Sequence, residues 1–137
     1  MYVSARGDYA VRAMLAVADS GELVKAAALA TAQGIPLSFL QGILLDLRRA
    51  GLLRSLRGTD GGYRLTRPAD EITVGAVLRA VSGSLTTVRG LPVERTAYHG
   101  AASGLRDVWR AVESAIEEVV DGISLADLLT GSGVPRP

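Results

Sequence analysis

Between Arg48 and Arg67, six arginines (Arg48, Arg49, Arg54, Arg57, Arg64 and Arg67) face a single acid, Asp60, giving this stretch a local charge of +5. The rest of the chain carries nine bases and thirteen acids, so the formal net charge of +1 hides a basic segment on a mildly acidic body. Guanidinium groups at this density suit a polyanion: each can pair with a phosphate, and together they give affinity through counterion release. Most other chemistry is closed. Without cysteine there is no disulfide, thiolate zinc site, cysteine-ligated iron-sulfur cluster or cysteine nucleophile. His99 is the only histidine, and with Glu94 and Tyr98 beside it falls short of the three or four ligands a zinc site needs, so we read it as an exposed loop residue. No nucleophile, base and orienting group stand together and no phosphate loop is present, so the chain reads as a non-enzyme with no metal and no cofactor.

The elements that must hold these arginines are mostly helical. With 48% hydrophobic residues but only 4% aromatic, the core has to be built from Leu, Val, Ile and Ala. A chain of 137 residues can bury about 68% of its unfolded surface in one core. Ser4 is an N-cap for a helix over 5–19, with Asp8 in its first turn, and Gly21 stops it. A second helix is predicted over 24–33, and the Gly34-Ile35-Pro36 turn separates it from a third over 37–50. In that third helix Phe39 or Leu40, Ile43, Leu44 and Leu47 recur at three and four, leaving Ser38, Gln41, Gly42 and Asp46 on the other side. Gly51 follows the helix, 52–56 reads as a strand, Thr59-Asp60-Gly61-Gly62 supplies a turn, and 63–65 returns as the paired strand. Thr73 caps a fourth helix over 74–81.

Residues 84–103 show no clear period. A long helix over 105–121 follows, in which Leu105, Val108, Val112, Ala115 and Val119 form a seam widened by Trp109, Ile116 and Val120. That apolar stripe exceeds what one small domain needs and reads as a dimer interface; Trp109 is assigned to the interface rather than to an effector pocket. Ser124 caps a last helical turn over 125–129. The chain therefore divides into a winged helix-turn-helix domain at 1–82, a sensor-like loop at 83–103, a dimerisation helix with a terminal helical turn at 104–130, and a flexible tail at 131–137. No apolar run approaches the length that spans a bilayer and the first thirty residues lack a secretory pattern, so the expected location is the cytoplasm, away from membranes.

Helix, tight turn, helix and arginine-flanked hairpin, in that order, match how a winged helix-turn-helix meets double-stranded DNA. The second helix of the pair would enter the major groove with Leu37, Ser38 and Gln41 near its N-terminus, where Gln can bond adenine in a bidentate way and Ser can serve several bases. Arg57, with Gly58 and Thr59 at the wing tip, would reach the minor groove, and Arg48, Arg49, Arg54 and Arg64 the phosphates. Winged helices also serve as protein-interaction modules, and that alternative stays open on the residues alone.

The blocks LRRAGLLRSLRGTDGGYRLTRP, EIT-x-G-x-V-x-RAV and SLADLL, after an SARGDYAVRAMLAVA start, closely resemble the Rrf family of bacterial winged-helix regulators over about residues 1–130. The resemblance implies a homodimeric transcription regulator, a repressor on a pseudo-palindromic operator, with the long helices pairing across a twofold. The family's usual wing reads RGPGGGY; here Thr59 and Asp60 replace Pro and Gly, adding a negative charge. Cluster-binding relatives carry three cysteines between the fourth and the long helix, where this chain has SLTTVRGLPVERTAYHGAAS. Asp8 matches a carboxylate ligand of some relatives and is read here as a first-turn helix acid. The cluster-free branch, whose members answer to a protein partner or an unidentified cue, is the nearer analogy, and an unidentified small-molecule or protein effector is expected here.

Overall fold

The computed structural model describes residues 1–131, so all but the first residue of the expected tail at 131–137 lies outside the described residues. Helix α1 (Ala5–Ser20) starts where Ser4 accepts a hydrogen bond from the Gly7 backbone N–H at 3.0 Å, and it ends at Gly21 in the left-handed region (φ 66°). Its inward face carries Ala10, Ala13, Met14 and Val17, a helical spacing with small residues that lets neighbouring helices approach.

Helix α2 (Ala26–Gln33) begins two residues later than predicted. Val24 is drawn out of the helix because its N–H and carbonyl both bond Tyr63, at 2.9 and 2.8 Å. Gly34 (φ 63°) and Ile35 turn the chain, which bends by 117° into α3 (Leu37–Arg49), an angle typical of a helix-turn-helix. Leu40, Ile43, Leu44 and Leu47 are wholly buried. The choice left open at the start of this stripe falls to Leu40; Phe39 stays 42% exposed and meets Tyr9 edge to face at 5.6 Å.

Leu52, predicted as the first strand residue, instead closes the end of α3 by donating its N–H to the Leu47 carbonyl at 3.0 Å, and it is buried. Strands β1 (Leu53–Leu56) and β2 (Gly62–Leu65) then pair antiparallel, Leu53 opposite Leu65 and Arg54 opposite Arg64. The Val24–Tyr63 bridge fastens this hairpin to the α1–α2 connection. At Gly61 a Cβ would sit 2.2 Å from the Leu56 carbonyl oxygen, so only glycine allows the chain to close the wing here.

Helix α4 (Val74–Ser82) is capped by Thr73, which accepts from the Ala76 N–H at 3.0 Å. The aperiodic segment after it is ordered. It forms a small hairpin, β3 (Thr87–Val88) and β4 (Leu91–Pro92), turned by Arg89 and Gly90 at positive φ, followed by 3-10 turns at Val93–Arg95 and Gly100–Ala102. Helix α5 (Leu105–Asp121) follows, and α6 (Leu125–Thr130) opens on a capping box between Ser124 and Asp127. Thr73 and Ser124 pair in an antiparallel bridge, and wholly buried Leu125 joins the core formed by α1, α3 and α4. Among the described residues no single helix is long and apolar enough to cross a membrane.

Candidate nucleic-acid interface

The outer face of α3 presents Leu37, Ser38, Gln41 and Gly42 to solvent, directly after the turn that sets the helix at its angle to α2. The same helix buries Leu40, Ile43, Leu44 and Leu47 at intervals that leave the outer positions out of the core, so packing fixes the helix while its outer face stays exposed. Arg48 and Arg49 occupy the last turn of α3, where their charge also suits the negative end of the helix. Arg48 reaches across to the Ser55 hydroxyl at 3.4 Å, tying the helix end to β1.

Arg54 and Arg64 face one another across the wing in register and are both exposed; Arg57, Gly58, Thr59 and Asp60 lie exposed at its tip. Arg49, Arg54, Arg57 and Arg64 make no ion pair among the described residues. Like charges opposite each other in a two-stranded sheet are destabilising, and a polyanion laid along the wing would relieve the Arg54–Arg64 repulsion.

The long helix is the second exposed surface. None of the seventeen residues of α5 is buried, although the helix is strongly amphipathic. Val108, Val112 and Val119 are 51%, 38% and 48% exposed, while Leu105 and Ile116 are half-buried. An apolar groove of about 420 Å³ runs between Met1 and Val112, Ala115, Ile116, Val119 and Val120. Trp109 lies at the edge of this surface, half-buried, with its indole N–H donated to the Tyr98 hydroxyl at 2.9 Å. The segment between α4 and α5 is held to the long helix by this bond and by Arg106, which donates to the Glu94 carbonyl at 2.8 Å.

Two ion pairs span the body. Arg79 of α4 bonds both oxygens of Asp121 of α5, at 2.7 and 2.8 Å, which holds the Asp121 carboxyl below its usual range and raises the Arg79 guanidinium. Arg6 of α1 pairs with Asp46 of α3 and also donates to the Val81 carbonyl. Forty residues separate Arg6 from Asp46 and no local pattern marks the contact, so the sequence reading placed Asp46 only on the outer side of α3. Asp8 pairs with Arg12 four residues on, as befits a first-turn helix acid.

The exposed outer face of α3 behind a tight turn and the arginine-lined wing are the form of a winged helix-turn-helix DNA-binding regulator. The Rrf2 family profile, described as an iron-dependent transcriptional regulator, matches residues 3–131, and the chain belongs to this family of regulators, which are not enzymes. It is 46% identical over 134 residues to a protein of Mycobacterium tuberculosis named as an HTH-type transcriptional regulator, across 96% of this chain and 83% of the relative. Among solved structures, T. potens IscR superposes with a TM-score of 0.77 at 34% identity, covering 96% of this chain and 88% of that one. CymR, the global cysteine regulator of B. subtilis, superposes with a TM-score of 0.79 at 26% identity, covering 96% and 98%.

The iron in the family's description finds no fitting donor set in this chain. There is no cysteine, His99 is exposed, and among the described residues no three His, Asp or Glu side chains gather closely enough to hold a metal ion.

Proposed function

We propose that the protein is a homodimeric transcriptional repressor, acting in the cytoplasm on a pseudo-palindromic operator without an iron-sulfur cluster. Ser38 and Gln41 read base edges in the major groove beside Leu37. Arg57 with Gly58 and Thr59 enters the minor groove, and Arg48, Arg49, Arg54 and Arg64 hold phosphates. Leu105, Val108, Trp109, Val112, Ile116 and Val119 pair across the twofold. The observation that carries this reading is the continuity of exposed arginine, with no ion pair among the described residues, from the last turn of α3 through both strands of the wing. The unburied apolar face of α5 supports the dimer, since a second copy of the same helix is a partner of matching shape and symmetry.

The test is selection of bound sites from a random duplex pool at two salt concentrations. A dimeric reader enriches a twofold-symmetric motif whose recovery falls steeply with salt, and a template carrying that motif at a promoter loses transcript when the protein is added. A protein-binding winged helix enriches nothing. Gln41→Ala should then relax base preference at one position of each half-site, whereas a uniform loss across sequences would make Gln41 a positioning residue.

A further inference from the structure

A cavity of about 660 Å³ lies between the N-terminal segment and the end of α4, within the size range of small-molecule sites. Tyr2, Ser4, Arg6, Ser82, Leu85 and Thr86 are among its walls. Among the described residues that line it, Arg6 is the one charged side chain and none is acidic. Two of the Arg6 nitrogens are engaged, Nε with the Val81 carbonyl and Nη2 with Asp46; Nη1 bonds nothing among the described residues. Thr86 is 8% exposed, and its hydroxyl is buried with no hydrogen-bond partner. Buried polar groups are normally satisfied, so this hydroxyl, sealed beside the cavity, is one that a ligand satisfies once a χ1 rotation turns it inward.

We propose that this cavity binds a small organic anion, its carboxylate on the Arg6 guanidinium and a second polar group on the Thr86 hydroxyl, in competition with Asp46 for Arg6. Arg6 is the shared point. It belongs to α1, it fastens α3 through Asp46, and it grips the end of α4 through Val81. A carboxylate that takes the guanidinium from Asp46 releases a tie to the helix that carries Ser38 and Gln41. Occupancy and DNA affinity are then coupled, because the ligand favours the state in which that tie is broken. This regulatory half rests on the DNA-binding reading, whereas the binding site does not.

The probes are 3-hydroxybenzoate, benzoate, which lacks the hydroxyl, and benzyl alcohol, which lacks the charge. Methyl NMR of the full chain follows Val81 and Leu85 up to about 20 mM probe, well above a Kd on the order of 1 mM for so small a ligand. Both anions should shift these methyls saturably and the alcohol should not. Arg6→Gln should weaken binding at least about tenfold. Asp46→Asn should tighten it, because the internal competitor is gone, a gain that mere loosening of the fold would not give. Thr86→Val should abolish the preference for 3-hydroxybenzoate over benzoate. No saturable shift with either anion, or an Asp46→Asn protein that binds no better than wild type, overturns the proposal. Fluorescence anisotropy on a selected duplex reads the coupling: saturating 3-hydroxybenzoate should lower duplex affinity in wild type and not in Arg6→Gln, and unchanged affinity would refute the link to α3. A protein that binds no duplex at either salt would fail the DNA-binding reading alone, with the methyl shifts still deciding the site.

Discussion

Val112→Glu tests the long helix at its middle. Val112 is 38% exposed in the single chain and lines the apolar groove of α5, so a twofold partner would cover it in both copies at once. Fully burying a valine side chain is worth about 1.5–2 kcal/mol, so covering the 38% that is exposed is worth about 0.6–0.8 kcal/mol, which symmetry doubles to about 1–1.5 kcal/mol for the dimer. Desolvation of two carboxylates in an apolar seam adds to this, so the dimer should weaken by at least about 4 kcal/mol, roughly three decades in Kd. Sedimentation velocity across a concentration series reads the change directly, with circular dichroism to confirm that the monomer keeps its helices. The fold should survive, because none of α5 is buried in the single chain. Operator binding should fall in parallel, since one head grips only a half-site. A Val112→Glu protein that stays dimeric at nanomolar concentration would refute the assignment of this face.

Three further outcomes follow from particular contacts. Arg57→Ala should weaken operator binding by about 1–3 kcal/mol and flatten its salt dependence, as measured by anisotropy titrations at several salt concentrations; unchanged binding would mean that the wing stands clear of the DNA. Gly61→Ala forces a Cβ against the Leu56 carbonyl and should displace the wing, lowering the melting temperature and operator affinity while the dimer, built on α5, persists in sedimentation. Partial desolvation, with Glu94 and Glu117 nearby, raises the Glu113 carboxyl above its usual range. A raised acid destabilises the fold once it ionises, a penalty present above its folded pKa and gone below its unfolded one. Glu113→Gln should therefore be more stable than wild type at neutral pH, with the gap in urea midpoints narrowing as pH falls and closed by about pH 4.

The sequence displayed those parts of the fold that are held by short-range chemistry. Ser4, Thr73 and Ser124 cap the helices predicted for them, because a cap bonds a backbone group only three residues away. The α3 stripe was readable to within one ambiguous residue, since its period is set by the helix itself. What escaped depends on partners far along the chain. Val24 carries strong helix-compatible neighbours, yet it serves as a strand residue because Tyr63 needs a backbone partner. The hairpin at 87–92 has strands of two residues each, too short to show alternation, and its Arg89-Gly90 turn carries only half of the usual glycine signal. At the candidate interface, side-chain types and order were plain in the sequence, whereas the register that sets Arg54 against Arg64 and the Arg6–Asp46 tie beneath α3 came only with the structure.

The return of α6 to the core bears on how the protein is made. Leu125 packs among residues of α1, so α1 waits for α6, which is translated well after it, before its apolar face is covered. Contacts between such distant segments are slow to form, and no nascent chain shorter than about this length can complete the reading head. Since α5 precedes Leu125, its exposed apolar stripe emerges while the head is still open, and polysomes on one message bring several such stripes close together. Closure of the head by α6 therefore comes after α5 has been made, and a chain stopped before Ser124 would offer an exposed apolar helix attached to an unfinished domain.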